Sequence, residues 1–179
     1  MARAPLSLKA RAIGLLAQRE HSRAELRRKL LRIELQQARR AALALAKASA
    51  ATSGADDDGS EPAAGYDAPT TEAAVDALLD ALAADGYLNE TRFVESRLHV
   101  RAGRFGAQRI QQELAQHGLK LDAEQQAALR ATELERAREV WLRRFGAEPA
   151  PDATERARQS RFLLARGFAP EVVRRLLRA

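Results

Sequence analysis

The sequence has 179 residues, no cysteine, three histidines and a formal net charge of +6. That length can bury a real core in one or two domains. The missing thiols exclude a disulfide framework and thiolate chemistry, and three histidines without thiols leave little basis for a structural zinc site.

The charge is distributed in blocks. Residues 1–47 hold 12 Lys/Arg against three Glu, residues 48–90 hold ten acids and no base, and residues 91–179 hold 18 bases against 11 acids. Basic segments concentrate polyanions and release their counterions, while an acidic insert screens the basic faces or keeps the chain soluble. Ala, Leu, Arg, Glu and Gln dominate, with aromatics at 4%, a composition that favours helix over strand. No apolar run approaches the roughly 18 residues that span a bilayer. The apolar stretch near the N-terminus is too short for a secretory signal, so the cytoplasm is the expected address.

Leu8, Ala12, Leu15 and Leu16 predict a first helix over 6–18. Ser22 with Glu25 is a capping box opening a second helix through Leu26, Leu30 and Ile33 towards Ala46. From Ala48 to Pro69 the chain offers little apolar bulk and reads as an acidic, Ala-rich disordered linker. Thr71 opens a third helix with Val75, Leu78, Leu79 and Leu82 on one face, and Gly86 suits the left-handed residue that ends it. Asn89 or Thr91 caps a helix with Phe93, Val94, Leu98 and Val100. A turn at Gly103–Gly106 leads to a helix through Ile110 and Leu114 that stops at His117-Gly118. A long helix, straight or bent, is expected from about Asp122 to Phe145, then helices over 152–165 and from Pro170 to Arg178 around a turn at Gly167. Eight or nine helices and no strand result.

Self-similarity organises these helices. With Ser22, Gly106 and Ala169 set at zero, position −1 holds His21, Phe105 and Phe168, and −6 holds Leu16, Val100 and Leu163. Position +4 holds Leu26, Ile110 and Val173, and +8 holds Leu30, Leu114 and Leu177. A second echo pairs Leu82-x-x-x-Gly86-Tyr87-Leu88 with Leu114-x-x-x-Gly118-Leu119. The expected fold is all-α, with stacked helical repeats forming an elongated body.

The run from Leu8 to Leu16 followed by Arg19-Glu20-His21-Ser22-Arg23-Ala24-Glu25-Leu26 resembles the opening of RecX regulatory proteins. Asp85-Gly86-Tyr87-Leu88-Asn89-Glu90-Thr91-Arg92-Phe93, with Phe105-Gly106 and Arg109 to Leu114, is similar to the family's second signature. Arg161 to Phe168 resembles its C-terminal repeat. The resemblance covers residues 6–35 and 72–179 and departs over 36–70, where family members have a shorter connection. It implies tandem three-helix repeats in a curved, elongated molecule that binds RecA, especially the RecA–single-stranded DNA filament, and restrains recombination, ATP hydrolysis and coprotease function. The repeats are expected at 1–47 (two helices), 71–90 (the third helix of the first repeat), 91–146 and 147–179, with 48–70 as linker.

Candidate contact residues are the basic clusters Arg23, Arg27, Arg28, Lys29 and Arg32; Arg97, Arg101, Arg104 and Arg109; and Arg174 and Arg175 with Arg178. A solvated outer face explains each cluster alone. Recurrence at equivalent turns favours a long polyanionic partner, and arginine is suited to bidentate phosphate contact. His21 and Ser22 are expected in packing and capping, Trp141 as an anchor with Leu134 and Phe145, and Tyr87 and Phe93 in the core. No nucleophile elbow, Walker A sequence or HExxH occurs, so the reading is a monomeric non-enzyme without cofactor, metal or membrane contact. A generic helical DNA-binding module, sequence-independent or a helix-turn-helix repressor with only Gln108, Gln111 and Gln112 as base readers, and a scaffold that binds only protein stay open beside it.

Overall fold

The computed structural model describes residues 6–52, 67–146 and 152–178. The described residues form nine helices: α1 Leu8–Leu16, α2 Arg23–Thr52, α3 Ala68–Ala84, α4 Glu90–Ala102, α5 Ala107–Ala115, α6 Ala123–Ala131, α7 Glu133–Phe145, α8 Ala153–Ala165 and α9 Pro170–Arg178. Two compact units result, one ending at Asn89 and one beginning at Glu90.

The first unit is a three-helix bundle around Ala12, Leu26, Leu30, Val75, Leu79, Leu82 and Leu88. Ser22 caps α2, its hydroxyl accepting from the Glu25 amide at 3.1 Å. α2 continues to Thr52, five residues into the expected linker. The Ala-rich run Ala41 to Ala51 explains this, because alanine is the best intrinsic helix former. α3 starts at Ala68 rather than Thr71, with Pro69 in its first turn where proline's missing N–H is tolerated. Most of the expected linker, 53–66, lies outside the described residues.

Gly86, at φ +76°, closes α3, and the Leu88 amide reaches back to the Leu82 carbonyl at 3.0 Å. In the second bundle Leu119, one residue earlier relative to its glycine, reaches Leu114 in the same way. The extra residue at the first site puts Leu88 rather than Tyr87 against the core. Tyr87 is 50% exposed, contrary to its expected core role, while Phe93 is buried.

The second unit contains two bundles. α4, α5 and α6 close on Phe93, Val94, Ile110, Leu114, Leu121 and Leu129. α7, α8 and α9 close on Ala137, Val140, Trp141, Leu163, Phe168, Val173 and Leu176. The long helix expected over 122–145 is therefore two helices broken at Thr132, and the boundary between the bundles lies there rather than at 146–147. Trp141 packs with Leu134 and Phe145 as expected and donates its indole N–H to Gln159 Oε1 at 3.0 Å. Val100 departs from the repeat: α4 turns Val94, Leu98 and Ala102 inward, and Val100, about 200° around the helix from Leu98, is 61% exposed.

The seam between these bundles is built from buried polar groups. Glu133 and Arg136 of α7 stand at the start of the buried stripe Glu133, Arg136, Ala137, Val140, Trp141. Glu133 Oε1 accepts from the Ala107 amide at 3.0 Å and the Ala169 amide at 3.3 Å, the amides of the first residue of α5 and of the residue just before α9. Arg136 donates to the carbonyls of Ala102, Phe105 and Leu129 at 2.7–2.9 Å, closing the ends of α4 and α6. Burial disfavours its charged form and pulls its pKa down, while the nearby Glu133 carboxylate opposes that shift.

Candidate nucleic-acid interface

The first basic cluster divides into two roles. Arg27 grips Asp76 of α3 in a bidentate pair, Nε to Oδ1 at 2.7 Å and Nη2 to Oδ2 at 3.0 Å, with Glu72 Oε2 at 2.8 Å from the same Nη2. These hydrogen-bonded carboxylates raise the guanidinium's pKa and lower that of Asp76. Arg23 Nη1 stands 2.7 Å from Asp80 Oδ1. Both arginines therefore join α2 to the acidic side of α3. Lys29 Nζ lies 2.9 Å from the Nε2 of buried His21 and 3.5 Å from Glu25 Oε1. Glu25 is pushed up by burial but held below its usual pKa by its hydrogen bond from Arg19.

Arg28 and Arg32 remain on the exposed surface. Four residues apart, they share one face of α2, and Arg39, eleven residues from Arg28, falls within about 20° of the same line. Arg39 is also exposed. The exposed stripe of this unit is Arg28, Arg32 and Arg39, and the spacing of the three in the sequence already contains it.

The second cluster converges only in part. Arg97, Arg101 and Arg109 line a cleft of about 360 Å³ beside α5 that also includes Glu113. Arg101 Nε lies 2.9 Å and Arg109 Nε 3.7 Å from the two Glu113 oxygens. Arg97 stands over Phe93 at 5.1 Å, and Arg101 and Arg109 over Phe105 at 5.3 and 5.8 Å, which orients the planar groups. Three guanidinium groups face one carboxylate in this cleft, so positive charge is in excess. Arg104 lines a different notch, with Arg143, Arg144 and Arg166. The last three were not singled out from sequence; the adjacent pair Arg143-Arg144 was the available signal.

The third cluster lies on the exposed side of α9. Arg174 and Arg175 are exposed on α9, opposite its buried Val173 and Leu176, and Arg174 lies 3.9 Å from Glu171. His21, expected in packing, is 1% exposed, and His117 packs against Phe93 with ring centroids 5.1 Å apart. Among the described residues no cluster of His, Cys, Asp and Glu could hold a metal ion, and no helix is long and apolar enough to cross a membrane. The arrangement can do electrostatic work: rigid helices present arginine forks to a polyanion, and phosphate contacts of this kind are indifferent to base sequence.

Comparison with known proteins agrees with the bundle boundaries. The model of the third three-helix domain of RecX matches residues 131–177, the span of α7 to α9. The chain is 47% identical over 178 residues to the regulatory protein RecX of Leptothrix cholodnii, covering 98% of this chain and 90% of that one. It is 45% identical over 179 residues to regulatory protein RecX of Ralstonia nicotianae, covering 98% and 89%. With that of Herminiimonas arsenicoxydans it shares 41% over 181 residues, covering 100% and 96%. Such similarity over nearly the whole length places the chain in the RecX family of regulatory proteins.

Proposed function

We propose that this chain binds RecA and its filament on single-stranded DNA, and that binding restrains recombination, ATP hydrolysis and coprotease function. It acts as a monomer in the cytoplasm and catalyses nothing itself. The observation that carries this reading is the surplus of guanidinium groups on the second unit: three against one carboxylate in the Arg97/Arg101/Arg109 cleft, and four in the Arg104 notch. Family membership supports RecA as the partner, and the exposed Arg28/Arg32/Arg39 stripe fits a further contact. A ligand that prefers one filament conformation shifts the filament's population towards it without chemistry. The test is DNA-dependent ATP hydrolysis by RecA with the chain added at substoichiometric amounts. Hydrolysis is expected to fall, and an unchanged rate at every ratio in low salt removes the proposal.

A second reading, a sequence-independent helical DNA-binding module, is favoured by the same arginine surplus. It predicts DNA binding without RecA that weakens steeply with salt, and no effect on RecA beyond competition for DNA.

A further inference from the structure

We propose that Arg104, Arg144 and Arg166 form a phosphate-binding notch for the backbone of single-stranded nucleic acid, at the seam between the α4–α6 and α7–α9 bundles. The inference rests on the reading above and gives its nucleic-acid component a specific address.

The notch has about 190 Å³ of space, lined by Gly103, Val140, Phe162 and four arginines, with no carboxylate in its wall. At roughly 30 Å³ per water, that space admits a phosphate group with its immediate neighbours. Among the described residues no carboxylate pairs with Arg104, Arg144 or Arg166. Arg143 is the most committed of the four: its Nη2 donates to the Gly103 carbonyl at 2.9 Å, and Glu139 lies 3.7 Å away.

The guanidinium groups are held in place before any ligand arrives. Arg166 stacks on Phe162 with its central carbon 3.8 Å from the ring centroid. Phe162 meets Phe145 edge-on at 5.0 Å, and Arg144 lies 6.0 Å over Phe145. The main chain of Arg166 is fixed too, its carbonyl accepting from the Gly106 amide at 2.9 Å. Stacking uses the faces of these planar groups and leaves their N–H edges for a bidentate acceptor. Burial and the like charges of Arg104 and Arg144 lower the pKa of Arg166, a repulsion that a bound anion would relieve.

The nature of the anion follows from what adjoins the notch. Phe105 has Arg104 at 5.9 Å, Arg101 at 5.3 Å and Arg109 at 5.8 Å from its centroid, so the notch and the Arg97/Arg101/Arg109 cleft meet at one ring. Two adjoining cationic sites suit successive phosphates of a polymer better than one small anion.

The test titrates full-length chain against fluorescent oligothymidylate over a range of salt, comparing wild type with Arg104→Gln/Arg144→Gln and with Arg156→Gln/Arg158→Gln. The last pair removes the same charge from an exposed part of α8. The notch variant is expected to bind about tenfold more weakly at low salt, with a log–log salt slope shallower by about 1.4 for two lost single-strand contacts; the control should match wild type. Equal losses in both variants, or an unchanged slope in the notch variant, overturn the proposal. So does saturable micromolar binding of inorganic phosphate at the notch with no change in DNA affinity, which would mark a small-anion site. If the notch variant loses RecA inhibition but binds DNA normally, the notch receives protein carboxylates: the inference fails and the proposed function stands. If wild type leaves RecA unaffected while the notch variant alone loses DNA affinity, the inference stands and that function fails.

Discussion

Gly106 and Gly167 lie back to back at the seam of the second unit, so close that a Cβ built on Gly106 would stand 2.1 Å from the Gly167 carbonyl oxygen. The reason is purely steric at Gly106, whose φ of −75° and ψ of 168° suit any residue. At Gly167 a Cβ would meet the Arg109 amide at 2.5 Å, and φ is +78° besides. Two turns at equivalent places in consecutive repeats thus touch backbone to backbone, and Gly106 N–H to Arg166 O and Gln108 N–H to Gly167 O bind them. Gly106→Ala should force the bundles apart and destabilise the second unit by roughly 2–4 kcal/mol, the upper range of single-site effects. Gly103→Ala, which meets nothing within 4 Å, should stay within about 0.5 kcal/mol of wild type. Urea denaturation followed by Trp141 fluorescence reads both, and equal midpoints would refute the contact's importance.

Arg136 makes the same seam dependent on one buried charge. Its three carbonyl acceptors belong to two helix ends and a turn of the α4–α6 bundle, so Arg136→Met removes the donors while leaving the acceptors buried. A cost of about 3 kcal/mol is expected, since removing one partner of a buried charged network leaves unsatisfied groups. Glu133→Ala should act in the same direction by orphaning the Ala107 and Ala169 amides. Because both variants strike the same seam, the double variant should cost less than the sum of the singles. Strict additivity in a thermodynamic cycle would show that the two residues act independently.

What sequence could tell followed locality. The Ser22 cap, the glycine stop at Gly86 and the leucine stripes of Leu26/Leu30 and Ile110/Leu114 are decided within one or two turns of helix, and they sit where periodicity put them. The break at Thr132 was hidden because Ala, Gln, Leu, Glu and Arg flank it, all good helix formers; only tertiary packing ends α6 there. Glu133 and Arg136 were readable in principle, since they occupy core-stripe positions with Ala137, Val140 and Trp141. Their hydrogen-bond partners, 26 to 36 residues away in several cases, were not. The assignment of Arg23 and Arg27 to a partner surface missed carboxylates about 50 residues downstream for the same reason.

That pairing separates two kinds of arginine on α2. Arg27→Gln should lower the melting temperature of the first unit slightly, with the difference vanishing at high salt, because an exposed ion pair is weak and screened. Under the proposed function its effect on RecA inhibition should be small. Arg28→Gln/Arg32→Gln should leave melting unchanged and weaken inhibition. Calorimetry beside the ATP hydrolysis assay separates the two, and the opposite assignment of effects would show that Arg27 is the contact residue.

His21 should make the first bundle sensitive to mild acid. The ring is 1% exposed, with Nδ1 2.9 Å from the Arg19 carbonyl and Nε2 2.9 Å from Lys29 Nζ. An ammonium can only donate, so Nε2 is the acceptor and the proton sits on Nδ1, the neutral tautomer. Burial chiefly, then the positive charges of Arg19 and Lys29, lower the pKa below 6.5, against the opposing pull of the Arg19 carbonyl and Glu25. The unfolded chain therefore binds a proton near pH 6.5 that the folded chain refuses until lower pH. Stability is complete above that value and declines as pH falls through the window towards the folded pKa. Phe105 and Phe168 occupy the equivalent position in the other two bundles, so His21→Phe supplies a ring of suitable shape without a titrating group. Melting temperature measured from pH 8 to pH 5 should fall for wild type and fall distinctly less for His21→Phe. Further loss below this window belongs to carboxylates such as Glu25, whose lowered pKa places its contribution at more acid pH, and both proteins should share it. Parallel curves between pH 7 and 5, or a His21 titration by NMR at or above 6.5, would show that the ring accepts its proton in place and that Lys29 moves aside to allow it.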